Sequence, residues 1–293
     1  MDQPVKARPE AQVFWPRPPL AGCLFGAFAR DTREYPLGPA QRFNHFAATP
    51  FCGVTWFFEG QSHMLDWPSG AVDPASKAPL PSVVFHGPQR QPTTGWNPGT
   101  IDAMTLAFYP DAIAALAGMD VSTVRDQIVP VDTVFSGPLL ALCNSIMQPG
   151  RIEERYRRIE DGLEPLWQRA RPPGHAVGHM LADWSRTLAV RAATSGTGRS
   201  IRQVERRIKS WAGQSHRNIQ SNARALNVFA TATANRNNPG MTLAQLAADT
   251  GYADQSHMTR HVRRETGFTP EQLRELIEHD EAFWAYRLAA ERF

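Results

Sequence analysis

Residues 251–270 read GYADQSHMTRHVRRETGFTP, and this stretch decides how the second half of the chain is organised. Gly251 suits the left-handed backbone position that a tight turn needs. Asp254 is a residue type preferred at a helix N-cap, and Gly267 is the type that most often ends a helix. The stretch therefore predicts a turn at Gly251, a helix over 255–264, and the end of that helix at Gly267.

A shorter helix is expected just before this turn. Thr242 and Gln245 have the spacing of a capping box, in which the two side chains satisfy each other's backbone N–H groups. Leu246 and Ala247 continue an apolar stripe that begins at Leu243. A helix, a glycine-containing turn and a second helix with polar side chains at its N-terminal end form a helix-turn-helix unit, here about 241–270.

The second helix of this unit is expected to bury Met258 and Val262 and to turn its polar side chains toward a DNA major groove. Gln bonds adenine bidentately, Arg bonds guanine, and Ser and Thr contact either bases or phosphates. We expect base contacts from Gln255, Ser256, Thr259 and Arg260, and phosphate contacts from His257, Arg263 and Arg264.

A related pattern lies earlier in the chain, over 200–215. Ser200 corresponds to Asp254, Gly213 to Gly267, and Ser215 to Thr269, all at the same offset. Several positions of similar type at one fixed offset indicate a duplicated helical unit. We refer to this correspondence between 200–215 and 254–269 as the internal repeat.

Charge is distributed unevenly along the chain. The formal net charge is +3, but residues 199–264 hold 11 basic and 3 acidic side chains. A basic block inside a helical segment is typical of a protein that binds a polyanion, although an ordinary solvated surface has the same composition. The segment 265–293 has a net charge of −4 and is poorly suited to contact DNA.

The string from Gly251 to Arg260, followed by Gly267-Phe268-Thr269-Pro270, resembles the signature of the AraC/XylS family of bacterial transcription regulators. The resemblance covers about 175–278. It implies two helix-turn-helix units, about 175–213 and 241–270, joined by a long helix near 216–231. It also implies sequence-specific binding to double-stranded DNA in successive segments of the major groove.

Carried over by position, the resemblance gives a first recognition helix over 200–209. Glu205 there either accepts a hydrogen bond from cytosine or orients neighbouring arginines. The sequence departs from the family pattern because the segment 180–193 is too short for two full helices before the first turn. The implied base contacts are Arg202, Gln203 and Arg206, and the implied phosphate contacts are Arg199, Arg207 and Lys209.

Residues 1–172, the front half of the chain, differ in composition from residues 173–293, the back half. Of the 24 prolines, 22 lie between Pro4 and Pro173. Internal prolines cost a helix roughly 3 kcal/mol each, so strands and turns are expected there. Apolar runs at 51–58, 82–85 and 101–108 predict strands. Helices are expected near 111–117, with Asp111 as the cap, and within 136–170.

The expected fold class is therefore α+β with two domains. Residues 1–172 would form a sensory or dimerisation domain, a cupin-like β-barrel or sandwich with helices. Residues 173–293 would form an all-α DNA-binding domain with two helix-turn-helix units and a helical tail. The resemblance implies control by a small effector or by homodimerisation, with RNA polymerase as a further partner.

Two rival functions remain open at this stage. One is a cupin-like metalloenzyme, for which His45, His63 and His86 are the candidate ligands, although they show no short metal-binding spacing. The other is a protein-interaction adaptor that has kept the helical fold but lost DNA binding. No nucleophile elbow, phosphate loop or dinucleotide fingerprint is present, so we expect no enzyme activity, no metal and no cofactor.

Compartment signals are sparse. The chain has no apolar run near the length of a membrane span, and its first residues lack the pattern of a secretory signal. Its three cysteines are scattered, which favours reduced thiols. We expect a cytoplasmic protein without a membrane contact.

Overall fold

The computed structural model describes residues 8–65, 73–173, 175, 181–196, 200–234 and 241–292. The strands are β1 Glu10–Phe14, β2 Leu24–Asp31, β3 Phe43–Phe46, β4 Cys52–Glu59, β5 His63–Leu65, β6 Val83–His86, β7 Thr93–Trp96, β8 Asp102–Phe108 and β9 Ile128–Pro130. The helices are α1 Pro110–Ala117, α2 Gly137–Ser145, α3 Ile152–Ala170, α4 Leu181–Thr194, α5 Ile201–Ala212, α6 His216–Ala234, α7 Leu243–Asp249, α8 Gln255–Thr266, α9 Pro270–His279 and α10 Trp284–Arg292.

The front half is built on a six-stranded antiparallel sheet in the order β1-β2-β8-β4-β6-β9. Side chains alternate between its two faces, as the period of two in a strand requires. In β4, Val54 and Trp56 point to one face and are almost fully buried. The helices α1, α2 and α3 cover that face, and the indole N–H of Trp56 donates to the carbonyl of Cys143 at 2.8 Å.

The opposite face of this sheet looks onto a smaller sheet with the strand order β3-β7-β5. Thr55 and Phe57 of the large sheet and Phe46 and Met64 of the small sheet line a cavity between the two. The described strands form these two separate sheets and do not close into a barrel. Of the two expected forms, the sandwich is therefore the one observed.

The expected cap of helix α1 was wrong. The helix begins with Pro110, whose fixed φ suits the first helical position, and its N-cap is Tyr109. Asp111 lies one residue further on and is buried, with its carboxylate turned toward helix α4 instead.

The back half confirms the internal repeat. Helices α5 and α8 have equal lengths, so that Ile201 corresponds to Gln255 and Ala212 to Thr266. Ser200 and Asp254 cap the two helices by accepting a backbone N–H three residues later. The helices that follow also begin at corresponding positions, α6 at His216 and α9 at Pro270.

Within the described residues between α3 and α5 there is one helix, α4, in keeping with a shortened first unit. Residues 197–199, between α4 and α5, and residues 235–240, between α6 and α7, lie outside the described residues.

The main apolar core extends across the expected division between the halves. Trp184 and Leu188 of α4 and Ile208 and Ala212 of α5 belong to the same buried cluster as the core of the large sheet. The second helix-turn-helix unit has a smaller cluster of its own, which includes Met258. The first unit is thus packed against the front half through this core. The second is packed on α6 and meets the front half at Glu265, whose carbonyl accepts from the backbone N–H of Ala48 at 2.8 Å.

Gly213 shows how closely the first unit meets the front half. Its backbone has φ +69°, and a Cβ atom there would lie 3.1 Å from Cγ of Pro88 and 3.2 Å from Cγ1 of Val121. Gly118 has a similar φ of +63°, but a Cβ atom there would meet nothing within 4 Å.

We expect Gly118→Ala to lower the free energy of unfolding by about 1–2 kcal/mol, the cost of left-handed backbone in an L-residue. Gly213→Ala should lower it further, because the new methyl also presses on Pro88 and Val121. Urea unfolding of both variants measures the difference. If both variants lost the same free energy of unfolding, the contacts of the new methyl with Pro88 and Val121 would have no energetic cost.

Candidate nucleic-acid interface and effector cavity

Helix α8 presents the side chains that the sequence assigns to base contacts. Gln255, Ser256 and Arg260 are exposed, and Thr259 is half-buried. The opposite side of the helix is held in the protein interior, where Met258 and Val262 have no exposed surface. The four assigned side chains form one polar face in a position that a major groove can reach.

The turn before α8 has the backbone that the sequence predicts. Gly251 has φ +77°, which is the left-handed region that glycine enters without strain. The N-terminal end of α8 therefore starts directly after a tight turn, as a recognition helix requires.

A buried polar cluster holds α8 against the long helix α6. The ring of His261 is buried, with Nδ1 lying 2.6 Å from the hydroxyl of Tyr252. Its Nε2 lies 2.6 Å from the hydroxyl of Ser221 on α6. Because both ring nitrogens have partners, the rotation of α8 about its own axis is fixed by hydrogen bonds as well as by packing.

Glu265 completes this cluster from the C-terminal end of α8. Its carboxylate accepts a hydrogen bond from the amide of Asn222 at 2.7 Å and from the guanidinium of Arg264 at 2.8 Å. Burial alone would raise the pKa of Glu265, but hydrogen bonds from His261 and Arg264 outweigh it and lower the pKa below its usual value. Sequence reasoning missed this cluster, because its members on α6 and α8 are far apart along the chain.

The side chains assigned to phosphate differ in how freely they could reach a DNA backbone. Arg263 is exposed, and its side chain makes no hydrogen bond or ion pair with the described residues. His257 is exposed and packs edge-on against Tyr252. Arg264 is also exposed, but its guanidinium is engaged with Glu265 and the hydroxyl of Ser221.

Helix α5 presents a comparable polar face. Arg202, Arg206 and Lys209 are exposed. The amide oxygen of Gln203 accepts from the backbone N–H of Ser200, so this side chain serves the helix N-terminus.

A recess lies between the polar face of α5 and the front half. Arg202, Arg206 and Lys209 line this recess together with Asp120 and Ser122. Ser210 of α5 also lines this recess. The front half therefore lies beside α5.

Two other assigned residues differ in their placement. The guanidinium of Arg207 donates to the carbonyl of Ala192 at 2.9 Å and so joins α5 to the C-terminal end of α4. Arg199 lies outside the described residues.

The sequence analysis assigns no role to one exposed residue of α5. Ile201, the first residue of the helix, has 83% of its surface exposed. The signal that would have found it is the internal repeat itself, since Ile201 is equivalent to Gln255.

The second candidate site is the cavity between the two sheets. Its volume is about 310 Å³, and its wall is mostly apolar. The front half supplies Phe28, Phe46 and Phe57, while the back half supplies Phe229 of α6 and Trp284 of α10. A molecule in this cavity would therefore contact both halves of the chain.

A buried ion cluster lies where the C-terminal tail meets the cavity. Arg30 of β2, which lines the cavity, donates to Glu281 at 2.9 Å, and Arg287 of α10 binds the same carboxylate at 2.6 Å. The guanidinium of Arg30 also stacks over Trp284 at 4.8 Å. One terminal nitrogen of Arg30, Nη1, is buried without a hydrogen-bond partner among the described residues. Burial lowers the pKa of Arg30 to about 10, which still leaves it charged at neutral pH.

The histidines of the rival metal hypothesis are held apart. His86 lies 2.8 Å from the hydroxyl of Thr55, and burial lowers its pKa to about 4. His63 donates to the carbonyl of Lys77, and His45 packs against Phe283. Within the described residues, no three His, Cys, Asp or Glu side chains are grouped closely enough to hold a metal ion.

His175 is bound to the front half, because its Nε2 donates to the carbonyl of Gly22 at 2.7 Å. None of the described helices has the length and apolar character needed to cross a membrane.

Fold and site together define a DNA-binding protein of the helix-turn-helix class. Residues 194–276 match the family model described as a helix-turn-helix domain, which is of the AraC type. This segment is therefore similar to the helix-turn-helix domains of AraC-type regulators, and the chain is a DNA-binding transcription regulator. No curated protein matches the chain significantly.

Solved structures of ToxT from Vibrio cholerae also match the chain. ToxT of strain O395 bound to (E)-4-(8-methylnaphthalen-1-yl)but-3-enoic acid is 9% identical, with 91% of this chain and 98% of that chain covered and a TM-score of 0.38. Unsaturated-fatty-acid-bound ToxT of strain SCE256 is 10% identical, with 78% and 93% covered and a TM-score of 0.33. The ligands of these ToxT structures are therefore not assigned to this chain.

Arg260 and Arg263 provide a matched pair for testing the DNA face of α8. Arg260→Ala should weaken binding to specific DNA by about 1–3 kcal/mol and affect random DNA less, because it removes a base contact. Arg263→Ala should weaken both equally and reduce the salt slope by about one. Fluorescence anisotropy over a salt series measures both quantities. An equal loss on specific and random DNA for Arg260→Ala would make Arg260 a phosphate contact.

Proposed function

We propose that this protein regulates transcription by reading DNA with both recognition helices, α5 and α8. The observation that carries the proposal is the internal repeat of cap, helix and end, with an exposed polar face on each copy. Base contacts come from Gln255, Ser256, Thr259 and Arg260 on α8. On α5, Arg202 and Arg206 contact bases in the same way. Gln203 contacts a base through its amide nitrogen, because its amide oxygen is bound to the backbone N–H of Ser200.

We further propose that a small effector binds in the cavity between the two sheets. Apolar pockets with a few polar groups are typical of ligand sites. The wall is formed by Phe28 and Phe57 of the front half and by Leu226 and Trp284 of the back half. An effector there would have different contacts in each arrangement of the two halves, which is what a shift of population requires.

The cavity wall also suggests the chemistry of this effector. Among the described residues that line it, Arg30 is the charged one, and its Nη1 atom lacks a partner there. An apolar molecule with one anionic group fits this combination, because a guanidinium binds carboxylates through several N–H donors. Such a group would compete with Glu281 for Arg30 and so act directly on the tail that follows the second helix-turn-helix unit.

The remaining features of the proposal concern organisation and partners. The front unit is residues 1–172 and the DNA-binding unit is residues 173–293. The protein works in the cytoplasm as a regulator rather than as an enzyme, and homodimer formation and contact with RNA polymerase are further expected properties. Phosphate contacts come from Lys209, His257 and Arg263, with smaller contributions from Arg199, Arg207 and Arg264.

Selection of bound DNA from a random pool tests the DNA-reading proposal. The full chain should enrich one sequence with two half-sites about one helical turn apart. Its affinity for that DNA should fall steeply with salt, since lysine and arginine contacts release counterions. Enrichment of no sequence, with no salt-sensitive binding to any DNA, would favour the adaptor or enzyme interpretation.

Thermal unfolding with two probes tests the effector proposal. Dodecanoate, below the concentration at which it forms micelles, should raise the Tm of the full chain by more than dodecanol does, because only the carboxylate engages Arg30. Ala103→Leu, which fills the cavity, should abolish the shift. Ala75→Leu, at an exposed site outside the cavity wall, should leave it unchanged. Equal shifts for both probes, or a full shift in Ala103→Leu, would contradict the proposal.

A further inference from the structure

Ile201 is an unusually exposed apolar side chain. It leaves 83% of its surface in solvent, more than Val190 at 64% or Trp15 at 45%, the other large apolar residues classed as exposed in the described part of the chain. A single exposed apolar residue needs no explanation by itself. Its position in the fold is what gives this residue meaning.

That position is the first residue of the first recognition helix. Ser200 caps α5, so the side chain of Ile201 begins the helix just as Gln255 begins α8 after the cap of Asp254. Gln255 is one of the proposed base contacts. The N-terminal residues of a recognition helix are the ones that reach base edges in the major groove. Ile201 is therefore placed to reach a base, although it has no hydrogen-bonding group.

The charges near Ile201 indicate what kind of surface it meets. Arg202, Arg206 and Lys209 are exposed on the same helix, and Glu205 is half-buried among them. A protein partner that buried Ile201 would also have to desolvate or neutralise these cations. DNA supplies the anions as its own backbone while it presents base edges to the helix.

Thymine carries the one apolar group on the major-groove edge of a standard base pair, its C5 methyl. We propose that Ile201 is a specificity-determining residue that packs on a thymine methyl in the half-site read by α5. This inference rests on the proposed function, because it requires that α5 enters the major groove.

The test replaces each thymine of the selected DNA by deoxyuridine, which differs only in lacking the methyl. The wild-type chain should lose about fourfold in affinity at one or two positions of the half-site bound by α5, the effect of exposing one methyl-sized group. Ile201→Ala should bind the thymine DNA more weakly by a similar factor and no longer distinguish thymine from deoxyuridine there.

Val190→Ala is the matched control, since it shortens another exposed β-branched residue, on α4. This variant should keep the full preference for thymine. Gln255→Ala should weaken binding through the other half-site and leave the preference at the α5 half-site intact. Circular dichroism and urea unfolding establish that Ile201→Ala is folded, which is expected because its side chain is exposed.

Each other outcome has a definite meaning. If Ile201→Ala keeps the preference for thymine, or if wild type shows none, the inference is wrong. If Ile201→Ala binds DNA normally but no longer regulates transcription, Ile201 contacts a protein instead, and the inference is again wrong. If the wild-type chain enriches no DNA sequence at all, the proposed function itself fails, and the inference fails with it.

Discussion

Asp111 is a buried carboxylate whose partners join the front half of the chain to the first helix-turn-helix unit. It accepts a hydrogen bond from the indole of Trp184 at 2.8 Å and forms an ion pair with the guanidinium of Arg191 at 2.8 Å, and both residues are on α4. His175 lies within 3.6 Å of the same carboxylate. Removing one member of such a buried pair leaves an unpaired charge, at a cost of about 3–5 kcal/mol. Helix α4, and with it α5, is thereby tied to α1.

This tie has consequences for how the two recognition helices are supported. The first shares the core of the large sheet through Ile208 and Ala212. The second rests on α6 through its own small core and through the buried ring of His261. The two helices are copies in length and caps, and both meet the front half. The first does so through the shared core, and the second does so near its C-terminal end, where the carbonyl of Glu265 accepts from the backbone N–H of Ala48 at 2.8 Å. A change in the front half would therefore reach α5 through its core and α8 through this hydrogen bond.

The sequence allowed the local features of the fold to be predicted. The internal repeat, the capping box of Thr242 and Gln245, and the burial of Met258 and Val262 all follow from residue type and spacing. Asp111 was misassigned as a cap, because a carboxylate near a helix start looks the same whether it caps that helix or serves an ion pair.

Features that depend on residues distant in the sequence could not be predicted. Arg30 and Glu281 are 251 residues apart, and neither carries a pattern that points to the other. The cavity wall combines strands of two sheets with helices of the back half, so its composition follows from tertiary packing.

The central claim is that one chain reads DNA with two equivalent helices. Hydroxyl-radical footprinting of the full chain on its selected DNA tests this most directly. The account predicts two protected segments on one face of the duplex, with centres about 10 base pairs apart, because successive major-groove segments recur once per helical turn. A single protected segment that stays single under all conditions would contradict the claim.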